Sequence, residues 1–423
     1  MSGNGFTGRR RLVLVAILVV ALATRVMVVL ASPDYVPRFD SGDYDRHAQS
    51  IAVGDGYPLS AFTASPGPSA FRPPVYPYLL GGVYLVSGDS KTAGRLMGAL
   101  LGVAAVWLVA LIAARLWDAR AGLWAAGLAA VAPPMFFLND ALINEPAYIV
   151  IELAAVLFAL RARDDPARLR WPLLAGVACG LGVLTRGNAV LVVPVIAAAV
   201  WVLRPRFSRA ALAAPLAVLL AAVVTVSPWL VRNAAVFDRP VGLSTQGGFA
   251  IAGIYNGDAY SLDGHRASWV VPTVTTDFAP LFARTDLDEV DLDRELRRGA
   301  LEYARDHPGY VLESTVLNGL RMFELTGEYP GLYDANRAAL ALSDTEAKIE
   351  TASFYLMVAL ALAGWLVWRR RGPRPPAFIW LVPLVAMIVL FPILGSTRYR
   401  TVAYPFLVIA AAPALASGFS RRA

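Results

Sequence analysis

Residues 12–31, LVLVAILVVALATRVMVVLA, form an apolar run of 20 residues, interrupted at Thr24 and Arg25, directly behind Arg9, Arg10 and Arg11. As a helix that run is about 30 Å long, the thickness of a bilayer's hydrocarbon core. The apolar part of a cleavable signal peptide is usually shorter, so 12–31 reads as a first membrane helix that stays with the chain. Nine further apolar runs follow at 91–114, 121–138, 146–160, 171–185, 188–203, 210–230, 351–368, 377–394 and 401–418. The pair 171–185 and 188–203 is short for full crossings, so tilt or partial re-entry is expected there. With 57% hydrophobic and 16% charged residues, the 423-residue chain has too little polar surface for a soluble fold. The fold class expected is all-α and polytopic, with about 10–12 transmembrane helices.

The basic residues decide the sidedness. Arg115 and Arg120, then Arg161, Arg163, Arg168 and Arg170, then Arg204, Arg206 and Arg209, then Arg369, Arg370, Arg371 and Arg374, and finally Arg421 and Arg422 all fall at the same set of helix ends as Arg9 to Arg11. The positive-inside rule makes that face cytoplasmic and puts both termini there. The net charge of +7 therefore points to the lipid bilayer and not to nucleic acid, because it sits in short knots between apolar runs. The single cysteine, Cys179, excludes an intrachain disulfide.

The opposite, outer face receives 32–90, 138–146, 185–188, 232–350 and 396–400, and with them most of the acids. The chain divides into three parts: a transmembrane module over 1–231 carrying the first outer loop (32–90), an extracytoplasmic segment over 232–350, and C-terminal membrane helices over 351–423. In the first loop, 43–53 is expected as a short amphipathic helix lying on the membrane, with Tyr44, Ala48 and Ile51 on one side. A Pro-rich aromatic stretch, 66–80, comes after it. In the outer segment, DLDEVDLDRELRR has its acids ahead of its bases, as a solvated helix prefers.

Asp40, Asp43 and Asp45 crowd FDSGDYD just past the first span. A solvated loop with Asp43 as a helix cap accounts for two of them. Asp40, beside Phe39 at the membrane edge, is the candidate general base, because partial desolvation raises a carboxylate's basicity. Glu145, with Asp140 as the nearby alternative, opens a span at NEP, where an acid also suits the helix dipole. Arg25 lies inside the first span, about 9 Å of helix rise from its outer end, and calls for an acid or a lipid phosphate as partner. Arg186 in LTRGN, and Arg398 and Arg400 in STRYR, stand on the outer face against the positive-inside bias, which suits an anion such as a phosphate. His47 follows Asp43 by four residues, so the two could share a metal ion. His265 and His307 lie far off in sequence. No cofactor is required on this reading, and a divalent metal is an open option.

These stretches, in this order, resemble the bacterial GT-C glycosyltransferases of the protein O-mannosyltransferase-like type and the lipid A aminoarabinose transferases. The matching segments are FDSGDYDRHAQSIAVGDGY, AFRPPVYPYLL, INEPAYIVI, GVLTRGNAVLVVP, PWLVRNAAVFDRPVGLSTQGG and STRYRTVAYPFLVIAA, spread over residues 39–410. The resemblance implies a GT-C fold in the bacterial cell membrane. It also implies an enzyme that takes a sugar from a polyprenyl-phosphate donor and places it on an extracytoplasmic acceptor (protein, lipid or glycan), inverting, with Asp40 as general base. The family's acid four before a tyrosine falls on Asp40 with Tyr44, its second outer acid on Glu145 or Asp140, and its basic residue before the Gly turn on Arg186. Arg232, Arg398, Arg400 and Arg25 become donor-phosphate contacts, with Asp43, Tyr44, His47, Arg72 and Asn233 as secondary site residues. Acceptor recognition would fall to 232–350 or to a partner protein. A lipid or solute transporter or flippase, which would carry its charges near the bilayer midplane, is the alternative outside enzymology, followed by a non-catalytic scaffold. Within enzymology the alternative is transfer of a phospholipid-derived group.

Overall fold

The computed structural model describes residues 6–262, 266–326, 342–371 and 374–418; His265, Arg421 and Arg422 lie outside them. The described residues fold into helices and loops, without a strand among them. The first run is α1 (Arg9–Ala31), and the outer loop then supplies α2 (Asp40–Ala52) and α3 (Val75–Ser87) before the long α4 (Lys91–Leu116). Next, α5 (Ala119–Val131) bends by 70° into α6 (Pro133–Phe136) and a 3-10 turn ending at Asp140. Then come α7 (Glu145–Asp164), α8 (Arg170–Val183), α9 (Val192–Ala199) and the 29-residue α10 (Arg209–Phe237). The outer segment holds α11 (Gln246–Ala252), α12 (Gly257–Ser261), α13 (Ala279–Phe282), α14 (Glu289–Asp306) and α15 (Pro308–Met322). The chain returns through α16 (Asp344–Arg371), α17 (Phe378–Ile388), α18 (Thr397–Arg400) and α19 (Tyr404–Gly418).

Each of the ten expected apolar runs contains helix, yet among the described residues only five helices are long and apolar enough to cross a bilayer. They are α1, α4, α10, Asp344–Arg370 of α16, and Thr397–Ala416 through α18 and α19; the bent α5–α6 pair makes a sixth if taken as one span. The shortfall has local causes. Pro133 and Pro134 break one run, the turn at Arg186 and Gly187 divides α8 from α9, and Glu152, Arg161 and Arg163 charge α7. Along α1 only Leu14, Ala21, Arg25 and Val29 are buried, a seam toward α4 and α5, while Leu12, Val15, Val19, Met27 and Leu30 face outward. α10 likewise turns Leu216, Leu220 and Val223 outward. Apolar surface on this scale is stable against lipid and not against water. The protein is a multi-pass membrane protein.

The bend explains Arg25. In an unbroken helix the carbonyls of Ala129 and Ala130 would accept from residues 133 and 134, but both are prolines and carry no N–H. Arg25 supplies the missing donors, Nη2 to Ala129 O (3.3 Å) and Nη1 to Ala130 O (3.2 Å), while Nε donates to Asn139 Oδ1 (3.0 Å). Thr24 adds a second donor to Ala130 O. Gly102 of α4 leaves the space, since a Cβ there would strike both Arg25 and Asn139. The acid or phosphate expected for Arg25 is thus replaced by backbone carbonyls and one amide, which a buried guanidinium satisfies without an anion.

The helix ends sort into the two expected sets. At the arginine-rich end Arg115 pairs with Asp164, and Arg163 donates to Ala199 O (2.5 Å) and lies over Phe378, drawing α4, α7, α9 and α17 together. At the other end α2 packs its apolar face on α3 rather than on the membrane, correcting the interfacial placement. Tyr44 and Ala48 meet Tyr76, Leu80 and Tyr84, with Leu142 and Ala147 closing the cluster. The outer segment has its own small core, where Leu292, Leu296 and Ala300, one per turn of α14, meet Ala252, Ile254, Phe278 and Tyr310.

Candidate active site

Five separate pieces of chain meet at the end of the bundle opposite the arginine-rich helix ends. α2 begins with Asp40 and carries Asp43 one turn on; the loop before α3 brings Arg72; α7 begins with Glu145; the turn after α8 brings Arg186; and α18 brings Arg398. Their side chains run in alternation. Arg72 donates from Nε to Asp43 Oδ2 (2.6 Å) and from Nη2 to Asp40 Oδ1 (2.7 Å). Arg398 donates from Nη1 to Asp40 Oδ2 (2.7 Å), and from Nε and Nη2 to the two oxygens of Glu145 (2.5 and 3.0 Å). Arg186 Nη1 lies 2.9 Å from Glu145 Oε1 without the alignment of a hydrogen bond, and is left a buried donor. Three carboxylates thus balance three guanidiniums, which is what permits such charges to be buried together.

One member is open. The Asp40 side chain keeps 31% of its exposure, against 0% for Glu145, 4% for Arg398 and 6% for Arg72. Phe39, just ahead of it, is solvent-facing and held at φ 51°, a strained conformation for an aromatic residue that lets α2 start at Asp40. Burial pushes the Asp40 carboxyl pKa up, but the charges of Arg72 and Arg398 outweigh it and hold the group well below the usual carboxylate range. Asp43 is held low in the same way, burial being outweighed by Arg72 and His47. The expectation that desolvation makes Asp40 more basic is therefore reversed here: two guanidiniums on one carboxylate stabilise its charge more than burial penalises it.

The other candidates divide. Tyr44 is a platform for Arg72, whose guanidinium lies 4.8 Å from its ring centre. Asp45 turns away to Tyr84 and Lys91. Asp140 is not in the alternating series; Arg95 locks it, donating to its carbonyl (2.8 Å) and pairing with its carboxylate, while Ser32 also donates to it. Arg400 turns to Glu350 and Glu324, Arg25 to the α5–α6 bend, and Arg232 to the carbonyl of Ser69 (2.8 Å), stacked between Tyr57 and Trp229. Asn233 ties α10 to Gly242. His47 Nδ1 sits 2.8 Å from the Asp43 carbonyl, leaving Nε2 buried without a partner. Arg72 and Arg46 already neutralise the Asp43 carboxylate, so His47 and Asp43 make a poor seat for a dication, and among the described residues no three His, Cys, Asp or Glu stand together to hold one. Sequence reasoning passes over Arg95, and over Glu152, buried in α7 beside Tyr148. A charge inside an apolar run, the signal that marks Arg25, is present for both.

Residues 71–231, which include Arg72, Glu145 and Arg186, match the family described as dolichyl-phosphate-mannose-protein mannosyltransferase. The archaeal oligosaccharyltransferase AglB from Archaeoglobus fulgidus, solved with an inhibitory peptide and a dolichol-phosphate, superposes with a TM-score of 0.53 at 15% identity, over 96% of this chain and 50% of that one. The chain has a GT-C fold. Among curated relatives of this GT-C chain, the undecaprenyl phosphate-alpha-4-amino-4-deoxy-L-arabinose arabinosyl transferase 1 of Pseudomonas fluorescens is 30% identical over 201 residues, 45% of this chain and 34% of that protein. The corresponding transferase of Erwinia tasmaniensis is 29% identical over 171 residues, 39% of this chain and 31% of that protein. The GT-C chain thus spans about a third of the length of these relatives.

Proposed function

We propose that this GT-C protein transfers a sugar from a polyprenyl-phosphate donor to an acceptor hydroxyl on the extracytoplasmic side of a bacterial inner membrane, with its arginine-rich ends in the cytoplasm. The observation that carries this reading is the open Asp40 carboxylate between two guanidiniums, at the end of the bundle opposite the arginine-rich helix ends. The acceptor is a protein, a lipid or a glycan. The polyprenyl class of donor is supported by the names of the relatives, and because such a carrier cannot leave the bilayer, this reading puts the site at the membrane edge.

The residues carry the chemistry in a single displacement. As the acceptor oxygen bonds to the anomeric carbon, Asp40 takes its proton. The bond from that carbon to the phosphate oxygen breaks, and the departing phosphate gains negative charge. Arg398, with the spare donor of Arg186 nearby, stabilises that charge. A guanidinium that turns to the phosphate releases Asp40 from one of its two partners. The carboxylate's basicity then rises when the donor is in place. The displacement inverts the sugar carbon. Glu145 holds Arg398 and Arg186 from below, and Arg72 keeps Asp40 oriented.

The test is turnover of purified protein in nanodiscs against a panel of labelled polyprenyl-phosphate sugars with membrane acceptors, read as release of free polyprenyl phosphate. One sugar turned over by wild type and not by a folded Asp40→Asn supports the reading. Equal turnover by that variant would remove Asp40 as the base.

A further inference from the structure

Glu289 opens α14 in the outer segment, where its acidic neighbours turn outward to arginines: Asp286 to Arg284, Asp288 and Asp291 to Arg239, Asp293 to Arg297 and Glu295 to Arg298. Glu289 turns inward and is 3% exposed. Its Oε1 accepts from the Ala70 N–H (2.7 Å) and the Thr245 hydroxyl (2.5 Å), while Oε2 is buried without a hydrogen-bond partner. Burying a carboxylate with one bare oxygen is costly. α14 does not need it as a cap, because Asp288 already accepts from the N–H groups of Val290 and Asp291.

What Glu289 holds is the loop that ends in Arg72. Ser69 O accepts from Arg232 (2.8 Å), Ala70 O from the Thr245 N–H (3.2 Å), Phe71 O from the Ser244 hydroxyl (2.6 Å) and Arg72 O from the Tyr57 hydroxyl (3.0 Å). Four of the five anchoring side chains and backbone groups, Arg232, Ser244, Thr245 and Glu289, therefore come from the end of α10 and the outer segment, and Glu289 is the carboxylate among them. Two residues beyond Ala70, the Arg72 guanidinium spans Asp40 and Asp43.

We infer that Glu289 is a positioning residue for Arg72: its bond to Ala70 fixes the 69–72 loop so that the guanidinium reaches both aspartates, which couples the outer helical segment to the ion-pair series. The functional consequence rests on the reading of that series as the donor site. A ligand that shifts α14 would then be felt at Arg72, and through it at Asp40.

The experiment uses the full chain in nanodiscs with two readouts: hydrogen exchange of peptides covering 69–72, and equilibrium binding of undecaprenyl phosphate. Glu289→Ala is expected to speed exchange at 69–72 and weaken lipid-phosphate binding, each by about tenfold, the loss of a hydrogen bond to a charged acceptor. Glu289→Gln, whose amide oxygen still accepts from Ala70, stays within about threefold of wild type. Should the alanine variant not fold, Glu289→Asp, one methylene short of Ala70, carries the same expectation. Arg239→Ala removes a surface ion pair of α14 while leaving Glu289 and its bond to Ala70 in place, and is expected to move neither readout. In an Arg72→Gln background Glu289→Ala adds no further binding loss, the non-additivity of a residue that acts through another. Unchanged exchange at 69–72 in the alanine variant, or binding losses that simply add, would overturn the inference. A wild type that binds no polyprenyl phosphate would instead sink the transferase reading, while the exchange data still decide the anchoring.

Discussion

Arg398 and Arg400 stand two residues apart on one turn of helix and enter unlike neighbourhoods. Arg398 bridges Glu145 to Asp40, a carboxylate with an open side. Arg400 reaches Glu350 (2.7 Å), Glu324 (3.1 Å) and the Met322 carbonyl (3.2 Å), and lies on the Phe354 ring, apart from the alternating series. On the proposed reading, one region exchanges a carboxylate for the donor phosphate. The other joins the end of α15 and the start of α16 to α18. An arginine in STRYR is therefore not by itself a site residue; the difference lies in which carboxylates it meets, those of the alternating series for Arg398 and those that tie helix ends together for Arg400. Arg25 teaches the same lesson from within the bundle, where prolines and not anions created the need for it.

The largest effect expected is that of Asp40→Asn. Loss of a general base should lower sugar transfer by about 10²–10⁴-fold, with the protein still folded but its melting temperature lowered, since asparagine accepts from an arginine yet gives up the charge that Arg72 and Arg398 pair with. Residual activity near wild type would erase the distinction between the Arg398 and the Arg400 region. Next come the paired substitutions Arg398→Lys and Arg400→Lys. A lysine keeps the charge and loses the fork, so the first should cost about a hundredfold in transfer, as expected when a transition-state contact worth about 3 kcal/mol is lost. The second should mainly lower thermal stability. Equal losses of activity in both would merge the two regions.

Arg25→Leu comes third. It strips the Arg25 donor from the Ala129 carbonyl, worth about 1–3 kcal/mol when left unsatisfied, and one of two donors from Ala130, which keeps Thr24. Unfolding by denaturant should register the loss, while polyprenyl-phosphate binding stays put. A selective loss of binding would return Arg25 to the site. The smallest effect concerns acid. Because Arg72 and Arg398 hold Asp40 and Asp43 low, the stability from these pairs is fully present above the ordinary carboxylate pKa of about 4. It is lost only as pH falls through the lower folded values. Melting between pH 7 and 5 should therefore not shift on their account, whereas Arg72→Gln raises both pKa values and moves the loss upward in pH. An acid limb identical in the two proteins would mean that Arg72 does not set these carboxylates.

Much of the architecture was legible because it is local. An apolar run of twenty residues behind three arginines makes a membrane helix wherever it occurs, and the spacing of Tyr44 and Ala48 forecast the buried face of α2. The outer-face residues Asp40, Glu145, Arg186 and Arg398 stood out for the same reason: each interrupts a pattern. Where sequence patterns misled, the cause was a partner far away in the chain. Asp40 looked like a desolvated base until Arg72 and Arg398 were beside it. Glu289 looked like one more solvated acid in an acidic run, and Asp140 like a second catalytic acid until Arg95 enclosed it.

The sequence by itself determined the solvent of this protein, the helices that lipid requires, the division of their ends into a basic and an acidic set, and the short roll of residues worth suspecting. Tertiary structure alone decided the pairings, joining Asp40 to Arg398 across 358 residues, Glu145 to Arg398 across 253 and Ala70 to Glu289 across 219. The physical reason is one of range. Hydropathy, helical periodicity and the positive-inside bias act over one helix at a time, whereas an ion pair a few ångströms long depends on how every helix between its partners packs.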